Sequence, residues 1–104
     1  MDPPRTSLTI LLSLPPANRG FREAVHRAET ALASGEVYLY CLDDAVEGLE
    51  DRELQALCRQ GLRLFACAYA AQRRGIPMAE QATFGGLGLL TDLIAGTDQF
   101  TCFG

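Results

Sequence analysis

"LRLFACAYAAQRRG", residues 62–75, holds an apolar run, Leu62–Cys67, that passes directly into the alanine-rich segment Ala68–Arg74. The first half reads as a buried strand. The second has the small and straight-chain residues of a helix, and Gly75 and Pro77 end it. A strand handed straight to a helix is the building unit of an α/β protein.

The same unit recurs on both sides. Upstream, Leu8–Leu14 is almost continuously apolar and is stopped by Pro15 and Pro16. Residues 18–34 then carry Phe21, Val25, Ala28 and Leu32 at helical spacing, with Asn18 placed to cap the start and Gly35 placed at C′. Val37–Leu42 is aromatic and β-branched, bounded by Gly35 and by Asp43 and Asp44, which predicts a second strand. Between Ala45 and Gln60, Leu49, Leu54, Leu57 and Cys58 line one side of one or two helical segments closed by Gly61. Downstream, a short strand near Ala82–Phe84 leads through Gly85 and Gly86 into a helix. Its stripe of Leu87, Leu90, Leu93 and Ile94 ends at Gly96, and Gln99–Phe103 forms a last strand. Strands this apolar, alternating with helices, predict a three-layer α/β/α sandwich around a mainly parallel five-stranded sheet, flavodoxin-like in its layering. Right-handed crossovers put every strand-to-helix loop at one sheet edge, where ligands of open α/β sheets bind.

A chain of 104 residues with 48% apolar and 21% charged residues is read as one ordered domain over 1–104, with residues 1–6 as a flexible tail. The net charge of −4, with no basic block, excludes the positive stripe that a nucleic-acid backbone requires. Leu8–Leu14 is too short to span a bilayer. Asp2 offsets Arg5 ahead of it and no small-x-small site follows, so it reads as a strand rather than a signal peptide, and the protein as cytoplasmic.

Cys41, Cys58, Cys67 and Cys102 contain no C-x-x-C pair, and His26 is the chain's one histidine, so neither a metal site nor a cofactor is expected. Without an export signal the thiols are expected to stay reduced. Cys67 falls where a strand gives way to a helix. There the side chain can lie at the sheet's functional edge, and the helix N-terminus favours a thiolate. The same position also suits a buried small hydrophobe, as free cysteine often is. Cys41 lies just before Asp43 and Asp44, whose charge disfavours a thiolate. Cys58 belongs to the apolar stripe of its helix and reads as core, and Cys102 belongs to the last strand, either in the core or close to the reactive edge. Arg73 and Arg74 fit a solvated helix end or a basic rim that steers an anionic or acidic partner. His26, beside Arg22 and Glu29, reads as a surface residue. The Gly85–Gly88 loop looks like a phosphate cradle, but Thr91 occupies the third glycine position and no P-loop lysine follows.

"CAYAAQRRG", residues 67–75, is similar to the cysteine segment of DsrE/TusD-type members of the DsrE/DsrF/DsrH-like sulfur relay family. "FGGLGLLTDLIAGTDQFTCF", residues 84–103, resembles that family's closing pattern. The resemblance implies a persulfide carrier or sulfurtransferase. Cys67 would take sulfane sulfur from a donor protein and pass it to an acceptor protein, with Arg73 and Arg74 as a supporting rim. It also implies a homo- or hetero-oligomer such as a trimer or hexamer. The loops at Pro15–Gly20 and Asp43–Gly48 are shorter than in such relatives, and they border the cysteine. The competing expectation is a non-catalytic assembly subunit in which Cys67 only packs.

Overall fold

The structure, a computed structural model, describes residues 6–104. Residues 1–5 of the expected tail lie outside the described residues, and Thr6 already opens the first strand. In chain order the elements are β1 (Thr6–Leu12), α1 (Arg19–Leu32), β2 (Gly35–Cys41), a 3-10 helix (Asp43–Gly48), α2 (Arg52–Arg59), β3 (Arg63–Cys67), α3 (Ala68–Arg73), β4 (Thr83–Gly85), α4 (Leu87–Gly96) and β5 (Gln99–Phe103).

All five strands are parallel, in the order β4-β3-β2-β1-β5. From β1 to β4 the sheet grows in one direction, so right-handed crossovers place α1, α2 and α3 on one face. The return from β4 to β5 crosses the whole sheet and lays α4 on the other face. Thr9 fixes that assignment. Buried within β1, it donates to the Leu93 carbonyl of α4 at 3.2 Å and shares a 2.9 Å bond with the Thr97 hydroxyl. Side chains alternate along a strand, so Leu8, Ile10 and Leu12 point the opposite way, into the core beneath α1.

The core on that face is built from Phe21, Ala24, Val25 and Ala28 of α1 against Val37, Leu39 and Cys41 of β2, with Leu49, Leu54 and Leu57 closing it. Three expectations shift. Gly35 is the first residue of β2, paired with Thr6, rather than a helix C′, and glycine is needed there because a Cβ would run into the Thr6 carbonyl oxygen of the neighbouring strand. Cys58 is half-buried rather than core. The α4 stripe also turns only partly inward: Leu90 is buried, whereas Leu87 and Ile94 are exposed. A single helix over a five-stranded face cannot bury all its apolar residues, and this one has apolar side chains on most of its circumference.

Asn18 caps α1 by accepting the Gly20 amide at 2.8 Å, as its position predicts. Asp51 caps α2, accepting the Leu54 amide at 3.1 Å, and also holds both Arg22 guanidinium nitrogens, at 2.8 and 3.0 Å. That pair ties α1 to α2. Arg22 holds the Asp51 carboxyl below its ordinary value. Such a contribution is complete above the unfolded carboxyl value of about 3.9 and disappears as the pH falls through the lower folded value. Asp51→Ala is therefore expected to cost about 1–2 kcal/mol at neutral pH by urea denaturation, with the gap to wild type closing below about pH 4.

Candidate functional site

Cys67 ends β3 and is also the N-cap of α3. Its backbone is still extended (φ −70°, ψ 116°), as an N-cap requires, and its Sγ accepts the Ala70 amide at 3.4 Å. The sulfur thus occupies the place of the usual serine or aspartate oxygen. Ala68, Ala70 and Ala71 let the helix begin at once, with no bulky side chain crowding the cap. The residue is 6% exposed, and it lines a cavity of about 640 Å³ that opens at the carboxyl edge of the sheet.

Cys67 lines the cavity together with Leu42, Ala70 and Gly86. Tyr69 and Leu87 stand at its mouth, 65% and 60% exposed. Asp43 also faces it, in the left-handed region at φ 51°, which aspartate tolerates better than most residues. That turn swings Asp44 toward α3, where it accepts from Arg74 at 2.7 Å.

Arg73 and Arg74 both line the cavity, as a basic rim requires, but they differ in what they are free to do. Arg74 is bound to Asp44 and donates to the Ala70 carbonyl at 3.1 Å, so it braces the 3-10 helix against α3. Arg73 forms no ion pair among the described residues. Its guanidinium lies 5.8 Å from the Tyr69 ring centroid and donates to that hydroxyl at 3.1 Å. Arg73 is the cation that an incoming anion would meet.

The other thiols are kept apart from this site. Cys41 is fully buried on the α1 face of the sheet; burial first, and the Cys58 thiol second, push its thiol up, and the neighbouring aspartates are not among the causes. Cys58 lies beyond it on α2, also raised by burial. Cys102 is exposed on β5, in register with Leu11, which pairs with Tyr40, which pairs with Phe65. Three strand spacings therefore separate it from β3, about 14 Å, and a disulfide needs Cα atoms within about 7 Å. Within one chain, Cys67 has no resolving thiol.

His26 is a surface residue 3.8 Å from Glu53, not near the cavity. The Gly85–Gly88 loop is a tight turn into α4, and two of its carbonyls are occupied. Tyr40, buried on β2, places its hydroxyl 3.3 Å from the Gly85 oxygen and 3.1 Å from the Gly86 oxygen. The sequence carries no signal that marks Tyr40 or Tyr69, and it marks Asp44 only as a charge beside Cys41. Tyr38 and Tyr40 alternate in β2 as residues of one sheet face do, but that pattern alone does not say which strand end they approach.

Together, fold and site define an open parallel α/β protein with a nearly buried strand-end cysteine at a helix cap, lining a cavity at the carboxyl edge of the sheet. No protein-family model matches the chain, and no curated protein sequence matches it. Among the described residues, no helix is long and apolar enough to cross a membrane.

Proposed function

We propose that the protein is a persulfide sulfur carrier, with Cys67 as both acceptor and donor, working in the cytoplasm between a sulfur-donor protein and a sulfur-acceptor protein. The observation that carries this reading is a cysteine sulfur held by a helix N-terminal amide inside an open, mainly apolar cavity. In loading, the Cys67 thiolate attacks the outer sulfur of a donor persulfide. One S–S bond forms, the donor's S–S bond breaks, and the donor leaves as a thiolate. In delivery, an acceptor thiolate attacks the outer sulfur now on Cys67, and Cys67 leaves as a thiolate. The sulfane sulfur keeps its oxidation state in both steps, so no external oxidant is consumed. Because Cys102, Cys58 and Cys41 are out of reach, the attacking thiol comes from another molecule. Exposed Tyr69 and Leu87 offer that molecule an apolar collar, and Arg73 supplies the charge that orients it.

The test is to incubate the reduced protein with polysulfide or with a cysteine desulfurase carrying its own persulfide, then map the added sulfur by peptide mass. The expected result is one sulfur on the Cys67 peptide. Added sulfur on Cys58 or Cys102, with Cys67 unmodified, would overturn the assignment.

The low exposure of Cys67 favours a second reading, that of a non-catalytic assembly subunit. Under that reading iodoacetamide reaches Cys67 only after unfolding, whereas a carrier is alkylated in the native state. Exposed Ile94 and Phe100 on the α4 side support assembly of copies or related subunits under either reading, as a trimer or hexamer whose size native mass measurement would give.

A further inference from the structure

The side chain of Tyr40 makes an unusual crossing. It starts on β2, and its hydroxyl ends against carbonyls of β4 and the turn after it. Strand β3 lies between β2 and β4. Tyr40 pairs with Phe65, Phe65 and Cys67 share a face by alternation, and Cys67 pairs with Gly85. A ring that leaves β2 at Tyr40 and ends at the Gly85 carbonyl must therefore pass beside Cys67. The residue is fully buried, so water does not compete for its hydroxyl.

We propose that Tyr40 is a positioning residue for Cys67, its hydroxyl swinging from the Gly86 carbonyl to the sulfur whenever that sulfur becomes an anion. This inference rests on the carrier reading of Cys67. The hydroxyl has a single proton and more than one acceptor within range. While the sulfur is neutral, the Gly85 and Gly86 carbonyls hold that proton and fix the turn that walls the cavity. When Cys67 is released as a thiolate in delivery, the sulfur is the stronger acceptor. It then gains the O–H donor beside the Ala70 amide it already has. No proton is transferred: the Tyr40 O–H bond stays intact, and only its acceptor changes. Burial, together with negative charge on Cys67, pushes the Tyr40 hydroxyl up to about 12, so it keeps its proton through the cycle.

The groups that face Cys67 bear on any pH dependence. The 3-10 helix contributes Asp43 and Asp44, α3 contributes Tyr69, Arg73 and Arg74, and β2 contributes Tyr40; the β4–α4 turn contributes backbone and Leu87 alone. Asp44 and Arg74 are paired with each other. Of the nearby charged groups, none shares the Tyr40 position under the sulfur, so replacing Tyr40 removes one donor and leaves their charges in place.

The experiment compares wild type, Tyr40→Phe and Cys67→Ser, following alkylation of Cys67 by iodoacetamide across pH with site-resolved mass spectrometry. Tyr40→Phe is expected to slow Cys67 alkylation about threefold at pH 7 and to move its pH profile upward, with a high-pH plateau no lower than wild type, because a thiolate that loses a hydrogen bond is more basic and, once formed, a better nucleophile. Discharge of loaded sulfur to a small thiol is expected to slow by a similar factor. An unchanged pH profile, or faster alkylation at every pH, would overturn the inference, since a purely structural hydroxyl changes access and not the profile. If Tyr40→Phe fails to fold, 3-fluorotyrosine at position 40 keeps the ring and the hydroxyl while making a stronger donor. It is then expected to speed alkylation at pH 7, and no change would overturn the inference equally. Failure of the carrier reading looks different: the wild type then takes up no sulfur on Cys67, whatever the Tyr40 variants do.

Discussion

Phe21→Ala is expected to remove about 3–5 kcal/mol of folding stability, the largest single effect foreseen in the core. Phe21 is fully buried on α1, and its ring occupies a notch left by Gly48 of the 3-10 helix. A Cβ built on Gly48 would sit 2.5 Å from two Phe21 ring carbons and 2.7 Å from the Pro16 ring, so ring and notch are shaped to each other. Domains of this size have about 5–15 kcal/mol in all, so the variant loses about a fifth of its stability or more. Urea denaturation should show a lower midpoint with little change in slope. Gly48→Ala gives the complementary result. Alone it overpacks the site and is expected to cost about 1–3 kcal/mol. On the Phe21→Ala background the two ring contacts are gone and only the Pro16 contact remains, so the same methyl is expected to cost markedly less, a coupling that a double-mutant cycle reads directly. Additive effects would show that the two residues do not share the notch.

Cys67→Ser is expected to abolish sulfane sulfur loading altogether while leaving the fold at least as stable as wild type. The two halves of that prediction have separate causes. Serine oxygen does not form a persulfide, so the acceptor is gone. Serine is nevertheless a preferred N-cap, and its oxygen can take over the Ala70 amide from sulfur, so α3 keeps its start. Cys67→Ala is the informative contrast: it also lacks the acceptor but loses the cap, and is expected to lose about 1 kcal/mol in thermal or urea unfolding. A serine variant that still loads sulfur would remove Cys67 from the mechanism. Equal stability of the serine and alanine variants would instead show that the cap bond to sulfur contributes nothing.

The layers were legible from the sequence because both signals that define them are local. Apolar runs such as Leu8–Leu14 and Leu62–Cys67 mark strands, and Asn18 and Gly61 mark helix boundaries without reference to distant residues. The position of Cys67 at a strand end was legible for the same reason. Strand order was not, because β1 sits between β2 and β5 through contacts that no local pattern encodes. The fate of the arginines was hidden too. Arg73 and Arg74 are neighbours with the same charge, and only the tertiary placement of Asp44 beside α3 decides that Arg74, not Arg73, is tied to an acid. Tyr40 was invisible as part of the site because its reach across β3 depends on register, which slips out of any reading confined to one strand.

The placement of β5 beside β1 has a consequence for synthesis. Ser7 and Asp98, bonded across that boundary, stand 91 positions apart in the chain. At roughly 5–20 residues per second, the ribosome needs on the order of 5–20 s to make the residues between them. For that interval β1, one of the most apolar strands, presents an unpaired edge to the crowded cell, while β2, β3 and β4 can already dock on its other side. Pairing of that edge with another nascent chain is therefore a hazard that the strand order builds into synthesis of this sequence.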